Sequence, residues 1–104
     1  LSGLASLEKL YAGRNQIKDI GPLSGLVKLK KLSLTDNEIV DIVPLAGLTD
    51  LEVLQLNTNR ISNIKVLSGL RNLKMLWLEG NAITDYRPVA PYYDQLENTD
   101  FFIE

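Results

Sequence analysis

One periodicity constrains this chain more than any other feature: shifting the sequence against itself by 22 residues superposes Leu4, Leu26, Leu48 and Leu70. The same shift aligns Leu7, Leu29, Leu51 and Leu73, then Leu10, Leu32, Leu54 and Leu76. Asn15, Asn37, Asn59 and Asn81 fall in a further column, as do Ile17, Ile39, Ile61 and Ile83. Residues 4–25 and 26–47 share 11 of 22 positions, and leucine makes up 20 of the 104 residues. A fixed period of this length marks a stacked array, in which a unit buries its apolar side against its neighbours.

Each part of the unit has a physical reason. Leu32 and Leu34 alternate with period 2, which sends both inward from a short strand while Lys31, Ser33 and Thr35 face solvent. Stacked units then form a parallel sheet with about 4.8 Å between strands. At Asn37 the chain leaves the strand, where a buried amide offers both donors and an acceptor to its own turn and to the adjacent unit. The column Asn15, Asn37, Asn59 and Asn81 is therefore read as a structural ladder. In the second half, Ile39, Asp41, Ile42, Pro44 and Leu45 repeat Ile17, Asp19, Ile20, Pro22 and Leu23. That pattern predicts an inward turn and then one or two turns of helix whose first position tolerates proline. Gly25, Gly47 and Gly69 are expected to end it in a left-handed conformation. The expected fold is α/β, a right-handed solenoid with a parallel sheet on its concave face and short helical turns on its convex face.

The run from Leu32 to Leu48 reads L-x-L-x-x-N-x-I-x-D-I-x-P-L-x-G-L without a break. It resembles the 22-residue leucine-rich repeat class typified by bacterial internalins and by repeat-built regulatory subunits of protein phosphatase 1. The resemblance covers residues 4 to about 91. Ala12, Asn63 and Val66 depart from it, replacing a strand leucine, an aspartate and a proline. The segments Tyr86-Arg87-Pro88-Val89 and Tyr92-Tyr93-Asp94-Gln95-Leu96 resemble the closing part of repeat domains in Gram-positive bacterial proteins, often secreted or surface-attached.

These patterns divide the chain into four repeats over residues 1–87, starting near Leu4, Leu26, Leu48 and Leu70, and a capping segment over residues 88–104. Pro91 is expected to open a helical turn that points Tyr92, Tyr93 and Leu96 at the last repeat and leaves Asp94, Gln95 and Glu97 in water. Asp100, Phe101, Phe102 and Ile103 are expected to add a partial strand. The other end begins at mid-repeat with Leu1-Ser2-Gly3-Leu4, which reads as a cut edge of a longer array and offers a route to end-to-end self-association.

Composition excludes much chemistry. With no Cys and no His, there are no disulfides, no metal site of Cys or His ligands and no His-assisted nucleophile. The formal charge of −2 gives no footprint for nucleic acid. No apolar run is long enough to span a membrane. The column Asp19, Asp41, Asn63 and Asp85 is weighed as a calcium ladder, and turn stabilisation by Asx side chains explains it better. No catalytic residue, metal or cofactor is assigned.

What the repeat leaves free is its outward strand face. One column reads Lys9, Lys31, Val53 and Met75; the next Tyr11, Ser33, Gln55 and Trp77; a third Gly13, Thr35, Asn57 and Glu79. Aromatic residues and Met are enriched in protein interfaces. The candidate partner-binding set is Tyr11, Lys31, Ser33, Val53, Gln55, Asn57, Met75, Trp77 and Glu79, with coverage of Met75 and Trp77 by the rest of a longer protein, by the C-terminal cap or by a neighbouring molecule in a crystal as the competing reading. The expectation is a protein-recognition module of a bacterial surface or secreted protein. A spacer or self-associating scaffold, and a cytoplasmic subunit like the phosphatase regulators, stand as alternatives.

Overall fold

The computed structural model describes residues 5–103. The expectations for Leu1 and Leu4 and for the final residue, Glu104, lie outside that range. Five strands, β1 (Lys9–Tyr11), β2 (Lys31–Ser33), β3 (Val53–Gln55), β4 (Met75–Trp77) and β5 (Asn98–Thr99), pair in chain order as one parallel sheet. The register places Leu10, Leu32, Leu54, Leu76 and Thr99 side by side. Described residues span 42 × 26 × 19 Å, the elongation expected when units add along one axis.

The apolar columns stack behind the sheet. Leu32, Leu54 and Leu76 are fully buried, as are Leu29, Leu51, Leu34, Leu56 and Leu78. Ile20, Ile42 and Ile64 close the core from the convex side together with Leu45 and Leu67. Burying a leucine is worth about 1.5–3 kcal/mol, so most of the stability resides in contacts between successive repeats.

The return path is made of 3₁₀ turns at Gly21–Gly25, Val43–Leu45, Lys65–Gly69 and Ala90–Gln95. Proline stands in the first turn of three of them, where no backbone donor is needed. Ahead of each turn, directly for the first three and three residues earlier for the last, one Asx oxygen accepts the backbone N–H two residues on. The pairs are Asp19 with Gly21 at 2.8 Å, Asp41 with Val43 at 2.9 Å, Asn63 with Lys65 at 2.9 Å and Asp85 with Arg87 at 3.0 Å. Asn63 therefore substitutes for aspartate, because the bond needs one acceptor oxygen and no charge.

Two expectations are corrected. The left-handed positions are Arg14 (φ 59°), Asp36 (φ 59°), Thr58 (φ 61°) and Gly80 (φ 77°), one column immediately before the asparagines, and not Gly25, Gly47 or Gly69. A Cβ at any of those three convex glycines would meet nothing within 4 Å, so they mark an exposed bend. The closing strand is Asn98–Thr99, earlier than the expected Asp100–Ile103. Strands β1 to β4 start 22 residues apart, whereas Met75 pairs with Asn98, 23 residues on. One extra residue between β4 and β5 displaces the register.

Candidate recognition surface

The asparagines fix the edge of the concave face. Asn59 Nδ2 donates to Leu56 O in its own repeat and to Leu34 O in the preceding one, both at 3.0 Å, and its Oδ1 accepts Ile39 N–H at 3.1 Å. Asn37 does the same with Leu34 O, Ala12 O and Ile17 N–H, and Asn81 with Leu78 O, Leu56 O and Ile61 N–H. Leu34 O thus accepts from two amides, as do Leu56 O and Ala12 O, and the column alternates amide and carbonyl through the stack. Asn15 is exposed and bonds Ala12 O and Gly13 O within its own turn.

These constraints hold the candidate partner-binding residues on one surface. Strand pairing sets Lys9 beside Lys31, Val53 beside Met75, Tyr11 beside Ser33 and Gln55 beside Trp77. Tyr11 is 64% exposed, and Glu79 is also exposed. Lys31, Ser33, Val53, Gln55, Asn57, Met75 and Trp77 are half-buried, since each strand's side chains shield its neighbours. Several contacts order the face: Thr35 Oγ1 donates to Asn57 Oδ1 at 2.9 Å, and Gln55 Nε2 approaches Met75 Sδ at 3.5 Å.

Trp77 is not a free side chain. Its Nε1 donates to Asn98 Oδ1 at 2.9 Å, so β5 holds one end of the indole while the ring stays half-buried on the face. Sequence reasoning missed Asn98 because the extra residue between β4 and β5 takes it out of the 22-residue columns. It also missed Asp100. The N–H groups of Leu34 and Leu56 bond backbone carbonyls of the following strand, those of Gln55 and Trp77. At the last repeat Asp100 Oδ1 takes this place, accepting Leu78 N–H at 2.6 Å and Glu79 N–H at 3.1 Å.

Aromatic residues tie down the segment that follows β4. Tyr92 is buried, its hydroxyl donates to Leu67 O at 2.6 Å, and burial pushes its pKa up to about 12 despite the nearby Arg71 guanidinium. Phe101 is buried, with its ring 5.2 Å from Tyr86 and 5.8 Å from Tyr93. Burial, helped by Asp100 and Glu79, also raises the pKa of Tyr86. On the surface, Arg87 makes two side-chain hydrogen bonds to the Asp85 carboxylate, both at 2.9 Å, and these lower the pKa of Asp85 to about 2.

A few other charges are paired on the surface. Glu38 lies 3.8 Å from Lys18 and 3.6 Å from Arg60, and Glu52 lies 3.9 Å from Lys74. Among the described residues no group of three or more acidic side chains is placed to hold a metal ion, and no helix is long and apolar enough to cross a membrane.

A family model described as leucine-rich repeats in two copies matches residues 5–47, 27–69 and 49–91. The chain belongs to the leucine-rich repeat family. Among solved structures, this repeat chain is similar to internalin C2 of Listeria monocytogenes, with 40% identity and a TM-score of 0.89 over 94% of this chain and 43% of that one. It is similar to internalin F of the same organism, with 31% identity and a TM-score of 0.67 over 99% of this chain and 37% of that one. A leucine-rich repeat protein of Leptospira interrogans follows at 26% identity and a TM-score of 0.78, over 91% of this chain and 25% of that one. The chain thus spans less than half the length of these internalins and is internalin-like in fold and sequence. A comparison with curated protein sequences gives no match.

Proposed function

We propose that this chain is a non-catalytic protein-recognition module that binds its partner on the concave sheet face, within a bacterial surface or secreted protein. The observation that carries this reading is the contrast within each repeat. Core leucines, asparagines and Asx turns recur from unit to unit, while the outward strand positions change from Lys9, Lys31 and Tyr11 to Val53, Met75 and Trp77. Large side chains held half-exposed by their neighbours lose little freedom when a partner covers them. Likeness to two internalins supports the compartment. In this reading residues 88–104 act as the cap that closes the last repeat.

The test is the double substitution Met75→Ala and Trp77→Ala, with partner binding and sedimentation measured together. Retained fold with lost binding supports the concave site. Retained fold with unchanged binding rejects it. Concentration-dependent assembly of the unsubstituted chain that the double variant leaves intact would favour a scaffold that stacks through its ends.

A further inference from the structure

The concave face carries an unbalanced charge feature. Lys9 in β1 and Lys31 in β2 are register partners on adjacent parallel strands. Like charges side by side on one sheet face repel, so such a pair is disfavoured in the free protein. Neither lysine has an ion-pair partner among the described residues. Glu52, which lines the same groove as Lys31, lies instead against Lys74 at 3.9 Å. Two residues further along β1 and on the same face, Tyr11 is 64% exposed.

The same two columns change character across the sheet, to Val53 beside Met75 and Gln55 beside Trp77. The face is thus basic at one end and apolar at the other. The midpoint of the lysine pair and the midpoint of the Val53–Met75 pair are two strand spacings apart, about 10 Å. An extended chain covers that distance in about three residues.

Resting on the recognition reading above, we propose that the partner presents an extended acidic segment whose carboxylate sits between Lys9 and Lys31, with a large apolar side chain about three residues away on Val53 and Met75. The carboxylate relieves the repulsion between the lysines, and the apolar anchor sets the direction in which the segment crosses the strands. A protein segment is favoured over a polyanion because the chain's net charge is −2 and the basic character ends at β2.

The experiment uses isotope-labelled protein and NMR shifts with two end-blocked hexapeptides, Glu-Glu-Gly-Ser-Leu-Leu and its counterpart with both glutamates replaced by lysine. The acidic peptide is expected to shift Lys9, Tyr11 and Lys31 together with Val53 and Met75, and to bind at least about fivefold more tightly than the basic one, the scale of one exposed ion pair. The variant Lys9→Glu with Lys31→Glu reverses the order. The milder Lys9→Gln weakens the acidic peptide while raising Tm, a pairing that a merely structural lysine would not give.

Equal shifts by both peptides confined to Val53, Met75 and Trp77 overturn the acidic assignment and leave the concave site standing. Shifts outside the concave face, or none at millimolar peptide, overturn the proposal, and the Met75 and Trp77 double substitution then judges the recognition reading separately. A thymidine oligonucleotide that shifts the lysines as strongly as the acidic peptide overturns the choice of a protein segment.

Discussion

Trp77 Nε1 donates to Asn98 Oδ1 at 2.9 Å, joining the largest side chain of the concave face to the closing strand of the sheet. Trp77 is the only tryptophan in the chain, so indole emission reports on this one side chain. Asn98→Ala is expected to cost about 0.5–1 kcal/mol, the net worth of one such hydrogen bond. Fluorescence anisotropy should fall as the indole gains freedom, and binding through the concave face should weaken because that freedom is lost again in the complex. Unchanged anisotropy would mean that packing alone positions the ring.

The asparagine column makes a graded prediction. Asn59→Ala leaves buried Ile39 N–H without its acceptor and takes one of two amide donors from each of Leu34 O and Leu56 O, and should cost about 1–3 kcal/mol in urea unfolding, the range for one buried unsatisfied group. Asn15 bonds only carbonyls of its own exposed turn, and Asn15→Ala should cost less than about 1 kcal/mol. Equal losses at the two positions would contradict the account of the ladder.

The left-handed column predicts opposite signs at two neighbouring positions. Thr58 is β-branched at φ 61°, and Thr58→Gly should stabilise by about 1 kcal/mol by relieving the clash of Cβ with the following carbonyl. At Gly80, φ is 77°, and an added Cβ would approach Thr58 N to 3.1 Å and Thr58 Cα to 3.2 Å. Gly80→Ala should therefore destabilise. Thermal unfolding of both variants checks the pair of signs.

Alkaline stability should depend on Tyr92. Its folded-state pKa of about 12 lies above the ordinary value of 10.0, so the folded protein holds the phenolic proton more tightly than the unfolded chain. The resulting stabilisation is complete below pH 10 and is lost as the pH rises to about 12. Tyr92→Phe should lower stability at neutral pH by removing the bond to Leu67 O, and should flatten the decline above pH 10. Urea titrations at neutral and alkaline pH distinguish this from a simple packing loss.

Much of the fold was legible because stacking demands repetition: a leucine that must meet the next leucine has to recur at a fixed interval. The same logic located the outward strand columns and the role of Asp19, Asp41, Asn63 and Asp85. The left-handed column escaped notice because Arg14, Asp36 and Thr58 share no side-chain chemistry, and only Gly80 carries the usual sign of positive φ. The segment after β4 was harder still. Its strand has Thr99 where the others have leucine, and one extra residue shifts its register. Asn98 and Asp100 act through bonds to β4 and the segment after it that no pattern within the chain announces. The composition of the concave columns was readable, but the pinning of Trp77 was not.

Site-specific photocrosslinking tests the central claim most directly. A photoreactive amino acid placed at Ser33 or Asn57 stands on the concave face, and one at Val43, which is 65% exposed, stands on the convex side. Incubated with candidate partner proteins, the chain should form a discrete protein adduct from the two concave positions and none from Val43. Adducts from Val43 alone, or adducts of twice the chain's mass from every position, would contradict recognition through the concave sheet.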